Sequence, residues 1–164
     1  MKTLILDKSK HDRQGFDCGV SALNNYLQMM ARQQAGNDNT RTFVLEDSDC
    51  PETIIGHYTL TMIPLDLQAL PARLQKKHSS AGSAGLIARL AINKYYSGQG
   101  YGEWLLIDAL HKLLQARDTV GFPLVVVDAK SGIAAFYEKF GFTPFINNPD
   151  KLFITIKEIR ASLQ

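Results

Sequence analysis

The segment from residue 86 to residue 117 constrains the fold most, because it joins an apolar strand, a glycine-rich loop and a helix. Residues 86–92 are almost entirely apolar, and the loop that follows includes Ser97-Gly98-Gln99-Gly100-Tyr101-Gly102. A helix is predicted over 103–117 from its apolar stripe. The first turn of such a helix has free backbone N–H groups that attract an anion, and glycines allow a pyrophosphate to approach closely.

Two common phosphate-binding motifs do not match this loop. Its spacing is G-x-G-x-G, whereas the dinucleotide fingerprint is G-x-G-x-x-G. It is not a P-loop either, because no Lys-Ser/Thr pair follows Gly100 or Gly102. The loop alone therefore indicates either an anion site of another kind or a glycine-rich turn without a ligand.

The rest of the chain alternates predicted helices and strands. Period and composition predict helices over 21–34 and 133–140. The first is capped by Asp17 or Ser21, and its i, i+3, i+4, i+7 stripe faces the core through Leu23, Tyr26, Leu27 and Met30. Strands are predicted over 42–45, 54–63, 86–92, 123–127, 142–146 and 152–156, with loops at 46–52 and 147–150. The segment 64–83 is predicted as a long connection with one short helix. These elements predict a mixed α+β (α/β) fold.

Composition narrows the class of protein. A chain of 164 residues with 45% hydrophobic residues predicts a single domain over 1–164. The longest apolar segment, 54–65, is too short for a membrane span, and the first residues do not form a signal peptide. Cys18 and Cys50 have neither metal-site nor disulfide spacing. We therefore expect a cytoplasmic protein without a metal site.

The charged residues are distributed unevenly, although the formal net charge is only +2. No acidic residue lies between Asp66 and Glu103. This stretch carries Arg73, Lys76, Lys77, Arg89 and Lys94. The gap in acidic residues is either a chance feature or part of a face that binds an anionic partner.

A second motif lies downstream, where residues 134–142 read Ala-Ala-Phe-Tyr-Glu-Lys-Phe-Gly-Phe. With the glycine loop, it resembles the GNAT N-acetyltransferases, whose loop is Gln/Arg-x-x-Gly-x-Gly/Ala and whose later helix carries A-x-F-Y-E-x-x-G-F. The chain departs from that loop at Ser97, where a longer side-chain donor usually stands.

The resemblance extends to one branch of that family. Residues 16–27 (FDCGVSALNNYL), 41–45 (RTFVL), 56–60 (GHYTL) and 88–92 (ARLAI) are similar to the acetyltransferase toxins of bacterial toxin–antitoxin pairs. The matching segments run from Phe16 to Phe142, which is most of the chain.

This resemblance implies a GNAT fold, with a mixed central sheet that splays at the acetyl-CoA site and is flanked by helices. Tyr137 would be the general acid that protonates the departing thiolate of CoA. The cosubstrate acetyl-CoA would contact the end of the third long strand and the glycine loop, at Leu90, Ala91, Ile92, Ser97, Gly98, Gln99, Gly100, Tyr101 and Gly102.

A general base is not evident from the sequence. No carboxylate occurs over 67–102, and Asp128 and Glu138 are equally well explained as surface or helix-end charges. His57 and His78 are further candidates. Because an α-amine with a pKa of about 7.7–8.0 is already partly neutral, the missing base favours an α-amine over a lysine as the acceptor.

Three hypotheses follow. The first is a toxin that acetylates the α-amine of aminoacyl-tRNA, binds tRNA phosphates through Arg73, Lys76, Lys77 and Arg89, and inhibits translation. The second is an acetyltransferase of a small amine or a protein amine. The third is a non-catalytic module that binds CoA or an antitoxin. The resemblance also implies a ribbon-helix-helix antitoxin and a homodimer as partners.

Overall fold

The central element is a mixed β-sheet, and the computed structural model describes residues 1–129 and 132–163. In the described residues the sheet has seven strands in the order β1-β2-β3-β4-β5-β7-β6. Strands β4 and β5 are parallel, whereas the recorded β1–β2, β2–β3, β5–β7 and β6–β7 pairs are antiparallel. The strands are β1 (Thr3–Ile5), β2 (Arg41–Asp47), β3 (Cys50–Pro64), β4 (Ser83–Ile92), β5 (Leu124–Asp128), β6 (Thr143–Phe145) and β7 (Asn148–Thr155).

Helices connect these strands, which confirms the mixed fold predicted from the sequence. The α-helices of the described residues are α1 (Ser21–Asn25), α2 (Ala31–Gly36), α3 (Ala72–Lys77), α4 (Tyr101–Arg117), α5 (Ala134–Lys139) and α6 (Ile156–Leu163). Short 3₁₀ turns lie at Leu67–Ala69 and Lys94–Tyr96. The short helix predicted within 64–83 is α3.

The first predicted helix contains a π-helical insertion. Tyr26–Met30 forms a π turn between α1 and α2, so the helical segment continues to Gly36. A π turn contains an extra residue, which rotates the following residues around the helix axis. As a result Ala31 is buried, whereas Met30, predicted to face the core, is 46% exposed. The predicted cap is also wrong, because Val20 occupies the N-cap position without a side-chain cap.

Several predicted boundaries differ because tight turns replace loops. Strands β2 and β3 continue through most of the predicted loop at 46–52, and only residues 48 and 49 form the turn. Strand β7 begins at Asn148, so the predicted turn at 147–150 is largely strand. Strand β1 and helix α6 were not predicted, and Ile156, predicted as strand, is the first residue of α6.

Strand β4 extends beyond its parallel partner. It pairs with β5 at Gly85, Leu86 and Ile87, opposite Val125, Val126 and Val127. It then continues to Ile92, past the last residue paired with β5. The backbone that follows Ile87 is the segment assigned to the cofactor in the sequence analysis.

The chain divides into two compact units. One comprises residues 1–61 and 88–111, and the other comprises 62–87 with the described residues from 112 onward. The core of the first unit includes Phe16, Tyr26, Leu27, Ala31, Val44, Ile54 and Ala91. The core of the second includes Ala69, Leu70, Leu74, Ala84, Leu124, Val126, Phe145 and Phe153. In the part of the chain that the structure describes, no helix is long and apolar enough to span a membrane.

At Gly56, β3 packs closely against β4 and α4. A β-carbon at this position would lie 2.7 Å from a methyl carbon of Leu105, 2.7 Å from one of Ile92 and 2.9 Å from the Ala91 carbonyl oxygen. Contacts this short do not occur for real β-carbons, and the carbonyl belongs to the backbone. Residue 56 must therefore be glycine for β3, β4 and α4 to pack as they do.

We expect Gly56→Ala to lower the free energy of unfolding by about 1–3 kcal/mol, the usual cost of overpacking a core. Urea denaturation followed by circular dichroism measures this change. Gly82→Ala is the matched control, because a β-carbon at residue 82 meets no atom within 4 Å. Equal stability of the two variants would contradict the proposed packing constraint.

Candidate active site

The loop between β4 and α4 adopts a conformation that depends on glycine at two positions. Gly98 has φ of 75° and Gly100 has φ of 85°. Residues other than glycine rarely adopt such backbone φ angles. A β-carbon at either position would meet no atom within 4 Å, so the space beside the loop is open. The loop thus combines an unusual backbone path with room for a ligand.

Successive backbone N–H groups at the end of this loop make no hydrogen bond among the described residues. Helix α4 begins at Tyr101, two residues earlier than predicted, and the Trp104 N–H donates to the Gly100 carbonyl at 3.1 Å. Among the described residues, no hydrogen bond uses the N–H groups of residues 99–103. These donors, together with the positive end of the 17-residue helix dipole, suit an anion. The residues present therefore fit the pyrophosphate of acetyl-CoA.

Asn93 anchors the start of the loop, a role that the sequence analysis missed. Its side chain is 4% exposed. Its N–H donates to the Ile55 carbonyl at 2.7 Å, and its side-chain amide donates to the Ile54 carbonyl at 3.3 Å. Its side-chain oxygen accepts the Tyr95 N–H at 3.2 Å. An Asn between a strand and a glycine loop is the signal that could have indicated this anchor.

The other residues assigned to the cofactor lie in the same unit. Leu90 and Ile92 are half-buried and Ala91 is buried, at the end of β4. The Ser97 hydroxyl donates to the Lys94 carbonyl at 2.9 Å. Ser97 therefore stabilises the turn that precedes the loop, and its hydroxyl hydrogen is used within the protein.

Tyr137 lies in the second unit, on α5. Its side chain is only 3% exposed, and its ring makes edge contacts with Phe136 and Phe142 at centroid distances of 5.2 and 5.5 Å. Burial, with a smaller contribution from the negative charge of Asp128, raises the pKa of Tyr137 to about 12. The hydroxyl consequently keeps its proton at neutral pH and remains a hydrogen-bond donor.

Of the two histidines considered as bases, His57 does not fit that role. His57 is fully buried, and neither of its ring nitrogens has a hydrogen-bond partner. Burial, with a smaller effect of the Arg89 charge, lowers the pKa of His57 to about 3, so it binds a proton too weakly for a general base near pH 7. Burial and the nearby Lys77 also lower the pKa of His78.

The two carboxylates considered as bases differ in environment. Asp128 is the last residue of β5 and is half-buried, whereas Glu138 is exposed on α5. Among the described residues, no group of three or more His, Cys, Asp or Glu side chains is arranged to hold a metal ion.

Three of the four cationic residues assigned to tRNA share one helix face. Arg73, Lys76 and Lys77 have the i, i+3, i+4 spacing on α3 and are all exposed, whereas Leu74 of the same helix packs into the core. Arg89 belongs to the other unit, on β4. Its guanidinium stacks over the Tyr26 ring at 3.7 Å from the centroid, a cation–π contact that holds it in place.

Comparison with known proteins identifies this arrangement. The family described as "Acetyltransferase (GNAT) domain" matches residues 38–144, which is well over half of the chain. A probable toxin TacT of Sinorhizobium fredii is 30% identical over 166 residues, covering 95% of this chain and 91% of the relative. A tRNA-acetylating toxin of Mycobacterium tuberculosis is 29% identical over 152 residues, covering 92% of this chain and 89% of the relative.

Solved structures match the whole chain. AtaT complexed with acetyl-methionyl-tRNAfMet has a TM-score of 0.88 at 28% identity and covers 99% of both chains. AtaTR bound with acetyl-CoA has a TM-score of 0.84 at 28% identity, covering 99% of this chain and 98% of that one. A mutant AtaT bound to the C-terminus of the antitoxin AtaR and acetyl-CoA has a TM-score of 0.82 at 28% identity, with coverages of 99% and 98%. The chain belongs to the GNAT acetyltransferase family.

Proposed function

We propose that this chain transfers the acetyl group of acetyl-CoA to the α-amine of aminoacyl-tRNA and so inhibits translation. The observation that carries the proposal is the match over 99% of both chains to AtaT in complex with acetyl-methionyl-tRNAfMet, which is the product of such a transfer. The tRNA-acetylating relative supports the same substrate class. We propose further that the chain acts in the cytoplasm as a single N-acetyltransferase domain.

The glycine loop supplies the binding energy for the cosubstrate. The N–H groups of residues 99–103 and the dipole of α4 bind its pyrophosphate, and the β4 backbone at Leu90, Ala91 and Ile92 binds its pantetheine arm. Acetyl-CoA supplies an acetyl thioester, a carbonyl carbon that an amine can attack. The chain holds that carbonyl and the attacking amine in an orientation that allows the reaction.

Two proton movements accompany the transfer. A bond forms between the α-amine nitrogen and the acetyl carbon, and the bond between that carbon and sulfur breaks. The nitrogen loses a proton to solvent, because an α-amine with a pKa of about 7.7–8.0 needs little help to become neutral. Tyr137 donates its hydroxyl hydrogen to the departing sulfur and regains a proton from water.

The exposed face of α3 is proposed to bind the tRNA. Arg73, Lys76 and Lys77 present three positive charges to solvent within two turns of helix. Phosphate contacts of this kind release condensed counterions, so binding weakens as salt rises. Arg89, already held against Tyr26, would add a fixed charge at the end of β4.

Partners are proposed from the similar proteins. The structures with AtaR support a protein antitoxin for this chain, and the family resemblance supports a ribbon-helix-helix antitoxin and a homodimer.

The experiment that tests the function is an assay of free thiol release from acetyl-CoA with charged tRNA, uncharged tRNA, a free amino acid or a small polyamine. Release only with charged tRNA supports the proposal. Release with free amines would favour the alternative small-amine acetyltransferase, and none would favour a non-catalytic module.

We expect Lys76→Glu with Lys77→Glu to lower kcat/KM for charged tRNA about tenfold. The slope of log kcat/KM against log salt concentration should also become smaller by about one for each lysine replaced. Acetyl-CoA affinity should stay the same. Lys157→Glu with Arg160→Glu on α6 changes the net charge equally and is the matched control. An equal loss in both double variants would mean that net charge, and not the α3 face, controls tRNA binding.

A further inference from the structure

The 3₁₀ turn at Lys94–Tyr96, directly before the glycine loop, is held from two sides by carboxylates. The Lys94 N–H donates to the Asp17 backbone carbonyl at 2.8 Å, and the Lys94 ammonium pairs with the Asp17 carboxylate at 3.0 Å. The Tyr96 hydroxyl donates to the Asp47 carboxylate at 2.6 Å. We refer to the contacts of Asp17 with Lys94 and of Asp47 with Tyr96 as the two clamps.

The segment that supplies Asp17 is itself ordered by a ring of hydrogen bonds. The Asp17 carboxylate accepts the Gly19 N–H at 2.8 Å and the side-chain amide of Asn24 at 3.0 Å. The Asn24 side-chain oxygen accepts the Cys18 N–H at 2.9 Å. The preceding residue, Phe16, is buried at 2% exposure. Asp17 is therefore presented to Lys94 by a segment that cannot move freely.

The second clamp reaches the other end of the glycine loop. Asp47 ends β2 and also accepts the Asp49 N–H at 2.9 Å, within the turn to β3. The Tyr96 ring, held by Asp47, makes an edge contact with the ring of Tyr101 at a centroid distance of 6.3 Å. Tyr101 is the first residue of α4. Tyr96 thus links the β2–β3 hairpin to the helix terminus that faces the ligand.

The loop needs such support because its own residues do not supply it. Gly98 and Gly100 have wide conformational freedom, and their positive φ angles are one choice among several. An anion site whose N–H groups must be ordered at the moment of binding loses affinity to the entropy of ordering. Fixing both ends of residues 97–100 in advance removes part of that cost.

We propose that Asp17 and Asp47 are positioning residues that hold the glycine loop in its ligand-binding conformation through Lys94 and Tyr96. This inference rests on the proposed use of the loop for acetyl-CoA. It gives a role to the Phe-Asp-Cys-Gly segment at residues 16–19, for which the sequence analysis found only a resemblance. The two aspartates act through other residues and do not touch the ligand.

Both clamps persist across the physiological pH range. Hydrogen bonds from Gly19, then Lys94 and Asn24, lower the pKa of Asp17 to about 2, and Asp17 raises the pKa of Lys94. Tyr96 lowers the pKa of Asp47, and Asp47 raises that of Tyr96 to about 12. Because the carboxylates titrate only in acid and their partners only in alkali, the clamps are constant supports and not pH switches.

Hydrogen–deuterium exchange without any ligand tests the clamps directly. We expect Asp17→Asn and Asp47→Asn each to speed exchange of the hydrogen-bonded amides of Lys94, Tyr96 and Trp104, on either side of the loop, at least about threefold, because these hydrogen bonds then open more often. Tyr96→Phe, a milder change, should act in the same direction. Lys94→Arg keeps the ion pair with Asp17, so its amides should exchange at the wild-type rate. Lys94→Met removes the ion pair, so its amides should exchange faster.

A kinetic measurement gives the second readout. For the two aspartate variants we expect the KM and Kd for acetyl-CoA to rise about fivefold, with kcat at saturating acetyl-CoA within twofold of the wild type, because a positioning effect is recovered once ligand orders the loop. A general structural defect would lower kcat and the unfolding midpoint together and would overturn the proposal.

Asp38→Asn is the matched control. It removes a surface ion pair with Arg41 at 2.8 Å, far in sequence from the loop, and should change neither exchange of the Lys94, Tyr96 and Trp104 amides nor acetyl-CoA affinity. Unchanged exchange in the Asp17→Asn, Asp47→Asn double variant would overturn the proposal. If the aspartate variants exchange faster but the wild-type protein does not bind acetyl-CoA, the two clamps are supported and the proposed function is rejected. Failure of the clamps and failure of the proposed function therefore give different results.

Discussion

Tyr137→Phe should lower turnover at saturating acetyl-CoA by about a hundredfold or more, which is the contribution that a general acid commonly makes. The ring contacts with Phe136 and Phe142 remain in the variant, so the loss of the hydroxyl is the main change. Steady-state thiol release measures the rate, and calorimetry checks that acetyl-CoA affinity is unchanged. The expected loss corresponds to roughly 2.7 kcal/mol of transition-state stabilisation.

The raised pKa of Tyr137 refines this expectation. A phenol with a pKa of about 12 stays protonated far above neutral pH, so its ionisation should not limit the wild-type rate between pH 6 and roughly pH 10. Because an ordinary thiol is more acidic than this phenol, the hydroxyl first stabilises the sulfur by hydrogen bonding as charge develops there, and the proton that it donates to the sulfur is then regained from water.

Tyr95→Phe removes a hydroxyl from a residue that is 75% exposed and is the matched control. It should retain the wild-type rate. A Tyr137→Phe enzyme with unchanged turnover and unchanged acetyl-CoA affinity would show that another group protonates the leaving sulfur.

Gly100→Asp should weaken acetyl-CoA binding about a hundredfold, or roughly 2.7 kcal/mol. Two effects add in this variant. An aspartate is strained at φ of 85°, and its carboxylate would lie beside the N–H groups that are proposed to bind the pyrophosphate. Isothermal titration calorimetry on the folded variant measures the affinity.

Gly100→Asn separates the two effects, because asparagine has nearly the same shape and a comparable strain at this φ angle but adds no charge. We expect its affinity to lie between those of the wild type and the aspartate variant. Equal affinity of the asparagine and aspartate variants would mean that no anionic group of acetyl-CoA lies near residue 100. Wild-type affinity in both would place the cofactor elsewhere.

Elements that depend on residues close together in the chain were predicted more accurately than elements that depend on a neighbouring strand. The strand before the glycine loop and the helix after it were predicted closely, because apolar runs, glycines and an amphipathic period act within a few residues. The boundaries at β2–β3 and β6–β7 were less accurate, because polar residues at 46–52 and 147–150 form strand when a neighbouring strand supplies their hydrogen bonds.

The first helical segment shows the limit of periodicity. A regular 3.6-residue period predicts Met30 inside, but the π turn at Tyr26–Met30 replaces it with Ala31. The extra residue is accepted because it lets Tyr26, Leu27 and Ala31 pack into the same core. No local preference in the sequence indicates such an insertion, and only the packing of the helix on the sheet selects it.

The sequence by itself located the glycine loop, the tyrosine on α5 and the basic residues of α3, since each depends on residues close together in the chain. Tertiary structure alone decided the partners of distant side chains. It buried His57, stacked Arg89 on Tyr26 and joined Asp17 to Lys94 and Asp47 to Tyr96. These pairs are separated by 49 or more residues, and a long-range contact depends on how every intervening element packs.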